Sequence, residues 1–99
     1  MEIKIDPLEY VEYIRNQNCC VCYKHAPSDP DHLDAIGMGR NRNNPKLYEH
    51  WSCIPLCRKH HIERHSMTIK QFEEKHHCNL WWEIYNNFSA YVEKKMEQL

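Results

Sequence analysis

Between Ile54 and His65 the chain carries one cysteine, three histidines and three cationic side chains in twelve residues. If the chain turns helical after Cys57, then Cys57 and His60 stand one turn apart and point the same way. His61 and His65, spaced i, i+4, would stack on one face where a single ion could touch both. His60 and His61 are consecutive and so lie about 100° apart around the helix axis. One short helix could therefore serve two metal sites, one on each side. Upstream, Cys19 and Cys22 form a Cys-x-x-Cys pair, the spacing of a zinc knuckle. A redox dithiol has the same spacing but belongs in a strand–helix unit of thioredoxin type, and no such pattern surrounds this pair. With Cys57-x-x-His60 downstream, the set completes a Cys₃His tetrahedron that would hold a structural zinc. Cys20 is a spare thiol, and a register using it in place of Cys19 stays open.

Ninety-nine residues predict one domain, 1–99, with a modest core. Eleven aromatic residues argue against disorder despite a mean hydropathy of -0.86. So small a core invites a staple, and six cysteines beside eight histidines suggest metal. Disulfides are the competing reading. The sequence opens Met-Glu-Ile-Lys without an apolar signal segment, and no apolar run approaches membrane-spanning length. The expectation is a cytoplasmic protein with reduced thiols and no membrane contact, in which paired Cys/His spacing reads as zinc. The net charge of -1 conceals a basic block. Residues 40–70 hold Arg40, Arg42, Lys46, Arg58, Lys59, Arg64 and Lys70 against Glu49 and Glu63, a local balance of +5 that coincides with the histidine cluster. A polyanion would bind there if one binds at all.

The elements that must position these groups follow from local signals. Asp6-Pro7 starts a helix, with Leu8, Val11 and Ile14 on one stripe, ending near Asn16–Asn18. Residues 31–36 alternate enough to predict a strand. Residues 37–45 form a loop holding both glycines, from which Arg40 and Arg42 could reach phosphates. Residues 48–54 read as a second strand, antiparallel to the first and feeding the central helix. Thr68-x-x-Gln71 is a capping box for a helix to about His76. Asn79 caps a last helix whose Trp81, Ile84, Tyr85, Phe88, Tyr91, Val92 and Met96 make an apolar stripe. Of the two adjacent tryptophans, one is expected in the core and Trp82 or Trp81 partly buried against it. The fold class expected is α+β.

Cys-x-x-Cys, then Asp-His, then a histidine, then Leu-Cys-x-x-His-His-x-x-x-His resembles the HNH endonucleases. The wording Asp31-His-Leu-Asp-Ala-Ile-Gly-Met-Gly-Arg-Asn-Arg42 and Pro55-Leu-Cys-Arg-Lys-His-His61 is similar to small HNH proteins encoded by phages and prophages. The likeness covers residues 19 to about 76, with helical flanks at 6–17 and 79–97 outside the motif. It implies a zinc-stapled ββα-metal (treble-clef-like) core and a metal-dependent DNA endonuclease. In that reading His32 is the general base, and Asp31 and His61 hold the catalytic metal with His65 as a further ligand or phosphate neighbour. His50 stands where the family usually has asparagine to orient the base, and Ser52 is a weaker claimant. Cys19, Cys22, Cys57 and His60 bind the structural zinc. The catalytic ion would be a divalent cation, Mg²⁺ or Mn²⁺ foremost, with Ni²⁺ or Zn²⁺ also compatible with an Asp/His site. Arg40, Arg42, Arg58, Lys59 and Arg64 are the expected contacts to DNA. A second copy of the chain or a phage protein is the expected source of specificity, the host cytoplasm the expected place. The alternative is a non-catalytic zinc module that binds nucleic acid or protein; the joint presence of Asp31, His32 and His61 favours the enzyme.

Overall fold

The computed structural model describes residues 2–33 and 48–99. Arg40, Arg42 and Lys46, with both glycines, lie outside them. Helix α1 (Pro7–Arg15) opens where Asp6 caps it, its carboxylate accepting from the Leu8 and Glu9 amides at 2.8 and 3.0 Å. From the end of α1, Ser28 ties the chain back: its amide donates to the Arg15 carbonyl and its hydroxyl to that of Gln17. Strand β1 (Asp29–His32) then pairs antiparallel with β2 (Cys53–Leu56), setting Asp31 opposite Ile54 and His32 opposite Cys53. Pro30 faces Pro55 across the ladder, a rung that needs no amide donor from either residue.

The second strand differs from the expectation of residues 48–54. Tyr48–Ser52 is a 3₁₀ turn, and β2 begins only at Cys53. The Ser52 hydroxyl donates to the Glu49 carbonyl at 2.6 Å, a local bond that competes with a strand ladder. Glu49, His50 and Ser52 are all buried, which a half-exposed alternating strand would not allow. His50 is therefore presented from a 3₁₀ turn and not from a strand. The first strand likewise begins at Asp29, earlier than expected, and residues 34–36 lie outside the described segment.

Helix α2 (Arg58–His65) follows β2 directly, with the Cys57 carbonyl taking the His61 amide at 2.8 Å. Helix α3 (Ile69–His76) carries the full capping box between Thr68 and Gln71. Helix α4 (Leu80–Glu97) is capped by Asn79, which accepts from the Trp82 amide. The described residues thus form a small α+β unit in which a two-stranded sheet delivers the chain into α2.

Strand β2 is buried throughout, and its alternation divides the core in two. Ile54 and Leu56 join Cys19, Cys57, Phe72 and Leu80 on the cysteine side. Cys53 turns the other way, to Tyr10, Ile14 and Tyr91 with Trp51 and Phe88 packed against them. The Tyr91 hydroxyl bonds Glu9 at 2.6 Å and receives the Asp6 amide, locking α4 onto α1. Burial, with Glu9 beside it, pushes that phenol up to about 12. The α4 stripe is split between these cores and solvent: Leu80 and Tyr91 are buried, but Trp81 and Trp82 are 52 % and 55 % exposed, so neither tryptophan is a core residue. No helix among the described residues is long and apolar enough to cross a membrane.

Candidate metal centre and active site

Helix α2 carries ligand-type side chains on two flanks. On one, Cys57 and His60 meet Cys19 and Cys22 from the knuckle before β1. The knuckle is held by a short loop, with the Cys19 amide on the Lys24 carbonyl and the Tyr23 amide on the Cys19 carbonyl. Tyr23 takes a positive φ of 62° to close it. The Cys20 amide bonds the Pro55 carbonyl, fastening the knuckle to β2. Cys22 Sγ lies 3.8 Å from Cys57 Sγ, Cys19 Sγ 3.8 Å from His60 Nδ1, and Cys57 Sγ 3.1 Å from His60 Nδ1. A tetrahedral zinc with bonds of about 2.3 Å to sulfur and 2.0 Å to nitrogen would separate its ligand atoms by roughly 3.5 to 3.8 Å. Two of the three separations match such an ion and the Cys57–His60 pair lies closer than it would hold them, so the four residues could take the ion with that pair spreading slightly.

The electrostatics favour ligation at Cys19 and His60, whereas at Cys22 the pull of the Lys24 amide is outweighed by burial and by the neighbouring Cys19 and Cys57, which raise that thiol. Burial pushes the Cys19 thiol up, but backbone amides of Cys22, Cys57 and Val21 aimed at its sulfur outweigh this and leave it below a thiol's ordinary value. Burial, then the neighbouring His76, lowers His60, favouring the neutral imidazole that a metal requires. Cys20, by contrast, is pushed far up by burial, with Glu83 and Cys19 adding to it, and is outside the cluster. Among the described residues it is Cys19, not Cys20, that groups with Cys22, Cys57 and His60.

On the other flank, His61 and His65 face Asp31 of β1. Asp31 is completely buried; His61 Nδ1 lies 3.9 Å from its Oδ2, and His65 Nε2 lies 3.6 Å from its Oδ1. The two imidazoles stand 4.7 Å apart by ring centres. His61 Nδ1 is buried yet has no hydrogen-bond partner, an orphan atom of the kind an ion would satisfy. An octahedral divalent cation with bonds near 2.1 Å would hold its ligand atoms roughly 3.0 to 4.2 Å apart, so the set fits. Half-exposed His65 leaves the site open to solvent. Burial, ahead of the opposing pull of Asp31, holds His61 below its ordinary value and so in the neutral form.

His32 follows Asp31 on β1, and its Nε2 lies 3.1 Å from His50 Nδ1, with the rings edge to face. The two histidines are thereby brought together, although they come from a strand and a 3₁₀ turn. Ser52 is buried with its hydroxyl bonded to the Glu49 carbonyl.

The largest departure from expectation is Arg64. Read as a DNA contact, it is instead only 8 % exposed and turned inward. Its Nε donates to Asp31 Oδ2 at 2.8 Å and its Nη2 to Oδ1 at 2.6 Å, a bidentate pair. It stands i+3 from His61, on the same helix face, which is the signal that could have placed it inside. Arg58 is exposed but leans on Asp29 at 3.0 Å, and Lys59 is exposed.

A third group, His60, Glu63 and His76, lies between α2 and α3. Glu63 bonds Lys75 at 2.8 Å and also His76, which lower its carboxyl to about 2. Lys75 already supplies the cation here, and His60 Nδ1 faces the thiols, so these residues clamp α3 to α2 beside the metal cluster.

A family model described as "Putative HNHc nuclease" matches residues 6–95. The chain is 38 % identical over 72 residues to the "Uncharacterized protein YdfU" of Escherichia coli (strain K12), an overlap of 73 % of this chain and 19 % of that protein. The chain thus spans about a fifth of the length of this curated relative. No solved structure matches it.

Proposed function

This chain belongs to the HNHc nuclease family, and from that premise we propose that it is a metal-dependent DNA endonuclease with a structural zinc. The observation that carries the reading is the pairing of two unlike ligand sets on one helix. The closed set of Cys19, Cys22, Cys57 and His60 leaves no position for substrate and would act as a staple in a treble-clef-like core. The open set of Asp31, His61 and His65, whose Asp31 directly precedes His32 in the chain, would leave coordination positions for water and phosphate.

A phosphodiester is anionic and repels hydroxide, so its hydrolysis needs a base, an electrophile and alignment. His32 is the base: a neutral imidazole can take a proton from water at neutral pH. His50 selects the tautomer. If His32 Nε2–H donates across the 3.1 Å contact to His50 Nδ1, the lone pair of His32 is placed on Nδ1, where it can accept the proton of the attacking water. Asp31, His61 and His65 would hold a divalent cation, Mg²⁺ or Mn²⁺ foremost. When bound, such a cation neutralises charge on the phosphoryl group and the leaving 3′-oxygen. Exposed Lys59 and Arg58, with Arg40 and Arg42, would contact the DNA backbone.

The test is nicking of supercoiled plasmid by zinc-loaded protein stripped of loosely bound metal, with Mg²⁺, Mn²⁺, Ni²⁺ or no addition. Metal-dependent nicking is expected, and His32→Ala should lower its rate by about 10²- to 10⁴-fold while circular dichroism stays unchanged. Undiminished nicking by the folded variant would remove His32 as base. No cleavage of DNA with any ion would favour a zinc module that only binds.

A further inference from the structure

The open ligand set contains one carboxylate, and that carboxylate already has a cation. Asp31 is fully buried, and the Arg64 guanidinium donates one hydrogen bond to each of its oxygens, at 2.6 and 2.8 Å. Each carboxylate oxygen can accept twice, so the bidentate pair leaves one lone-pair position on each toward His65 and His61. Two neighbouring acids among the described residues already have cations of their own. Asp29 is engaged by Arg58, and Glu63 by Lys75 and His76. In the neutral form that any metal-ligating imidazole must take, His61 and His65 add no charge, so Asp31 and Arg64 balance one another. A bare divalent ion would bring the group to +2, and a phosphodiester would return one negative charge.

We propose that Arg64 is the internal counter-charge of this site, a positioning residue that keeps it weak for a divalent cation alone and so makes ion and phosphodiester bind together. The inference rests on the reading that Asp31, His61 and His65 hold the catalytic ion. Its physical basis is that the affinity of an oxygen site for a hard cation follows the count of uncompensated anionic ligands. Two like charges a few ångströms apart in a buried site are costly even with substantial screening. Arg64 thus has two effects: it fixes the Asp31 carboxylate against α2, and it withholds that carboxylate's full charge until an anion arrives. Its charge would also be felt by the bound phosphate, whose negative charge it favours.

The experiment is calorimetric titration of Mn²⁺ into the zinc-loaded protein without DNA, with zinc content and circular dichroism checked for each variant. Arg64→Gln should tighten Mn²⁺ binding by about tenfold or more, and Arg64→Lys, which keeps the charge, should stay within about threefold of wild type. Asp31→Asn should abolish the titration and so assign it to this site. Equal or weaker binding in folded Arg64→Gln overturns the proposal and leaves Arg64 a scaffold for Asp31. A second measurement needs no change at position 64: in the His32→Ala protein, a short DNA duplex should tighten Mn²⁺ by about tenfold, and no tightening overturns the proposal even if Arg64→Gln fails to fold. If no Asp31-dependent Mn²⁺ binding occurs in any variant, with or without DNA, the reading of the site itself has failed, a result distinct from the others.

Discussion

The two flanks of α2 each present histidine to a cluster of metal-ligand type, but one cluster is otherwise thiol and the other carboxylate. On the knuckle flank, three of four ligand residues are buried, backbone amides steer the Cys19 sulfur, and hydrophobic Ile54, Leu56, Phe72 and Leu80 close around them. On the Asp31 flank the carboxylate is buried, but His65 is open and one imidazole nitrogen is left without a partner. The first flank completes its polar contacts and gains rigidity. The second leaves contacts unmade, and the unmade contacts are what a substrate complex can use. The two candidate ligand sets are thus separated by about 100° around one helix.

The sharpest way to break this comparison is to remove a closed-flank ligand. Cys57→Ser, or chelation of the zinc, should cost most of the folding free energy, because structural zinc sites contribute on the order of 10 kcal/mol in small domains. Loss of the cooperative thermal transition in calorimetry would show it; a transition unchanged after complete zinc removal would reverse the assignment of the two flanks. The mirror change, His61→Ala, should abolish Mn²⁺ binding and lower nicking by at least about a hundredfold while zinc content stays the same. Smaller still is His50. His50→Asn, which keeps a side-chain hydrogen-bonding group, should retain activity within about tenfold, whereas His50→Ala should lose about ten- to a hundredfold through misorientation of His32. A plasmid assay of both at equal zinc content separates them, and equal activity would remove His50 from the site.

The pH response sharpens the contrast further. Folding lowers His61 below its usual value, so the neutral form is favoured in the folded state. The stability linked to this group is present above about pH 6.5, its unfolded value, and is lost as pH falls toward the lower folded one. His61→Gln should flatten that part of the stability profile, and parallel thermal-melting curves for the two proteins would show that the group does not contribute. Smallest is the clamp. Glu63, drawn down to about 2 by Lys75 and His76, supports α3 above the ordinary carboxylate range and loses that support as pH falls toward 2. Being partly open to solvent and screened, it should make Glu63→Gln shift the midpoint of unfolding by no more than about two degrees near neutral pH. A larger loss would mean that the clamp also orders the zinc ligands.

Fixed spacings were the readable part of this molecule. Cys-x-x-Cys, Cys-x-x-His and His-x-x-x-His encode their geometry locally, because a helical turn or a knuckle sets the separation whatever lies elsewhere. The caps at Asp6, Thr68 and Asn79 were readable for the same reason. What sequence could not supply was the partner across the fold. Arg64 looked like one more cation in a basic block, since the charge that turns it inward, Asp31, lies 33 positions away. The stretch from Tyr48 to Ser52 has strand-like composition, and only the Ser52 to Glu49 bond, with burial of consecutive polar residues, makes it a 3₁₀ turn. One of Trp81 and Trp82 is expected in the core with the other partly buried against it, yet both core clusters among the described residues are filled instead, by Leu80 on one side and Tyr91 on the other.

One peptide bond joins His60 to His61, the last ligand of the closed set to the first helical ligand of the open one. Along this stretch the chain has no slack. Substitutions can be graded in their effects, but inserting or deleting a single residue here would turn everything downstream by about 100° and carry His61, Arg64 and His65 off the face of β1 together. Related sequences should therefore vary freely in length before the knuckle and after α3 while keeping the count from Cys57 to His65 unchanged, so that this interval serves as a ruler for aligning them.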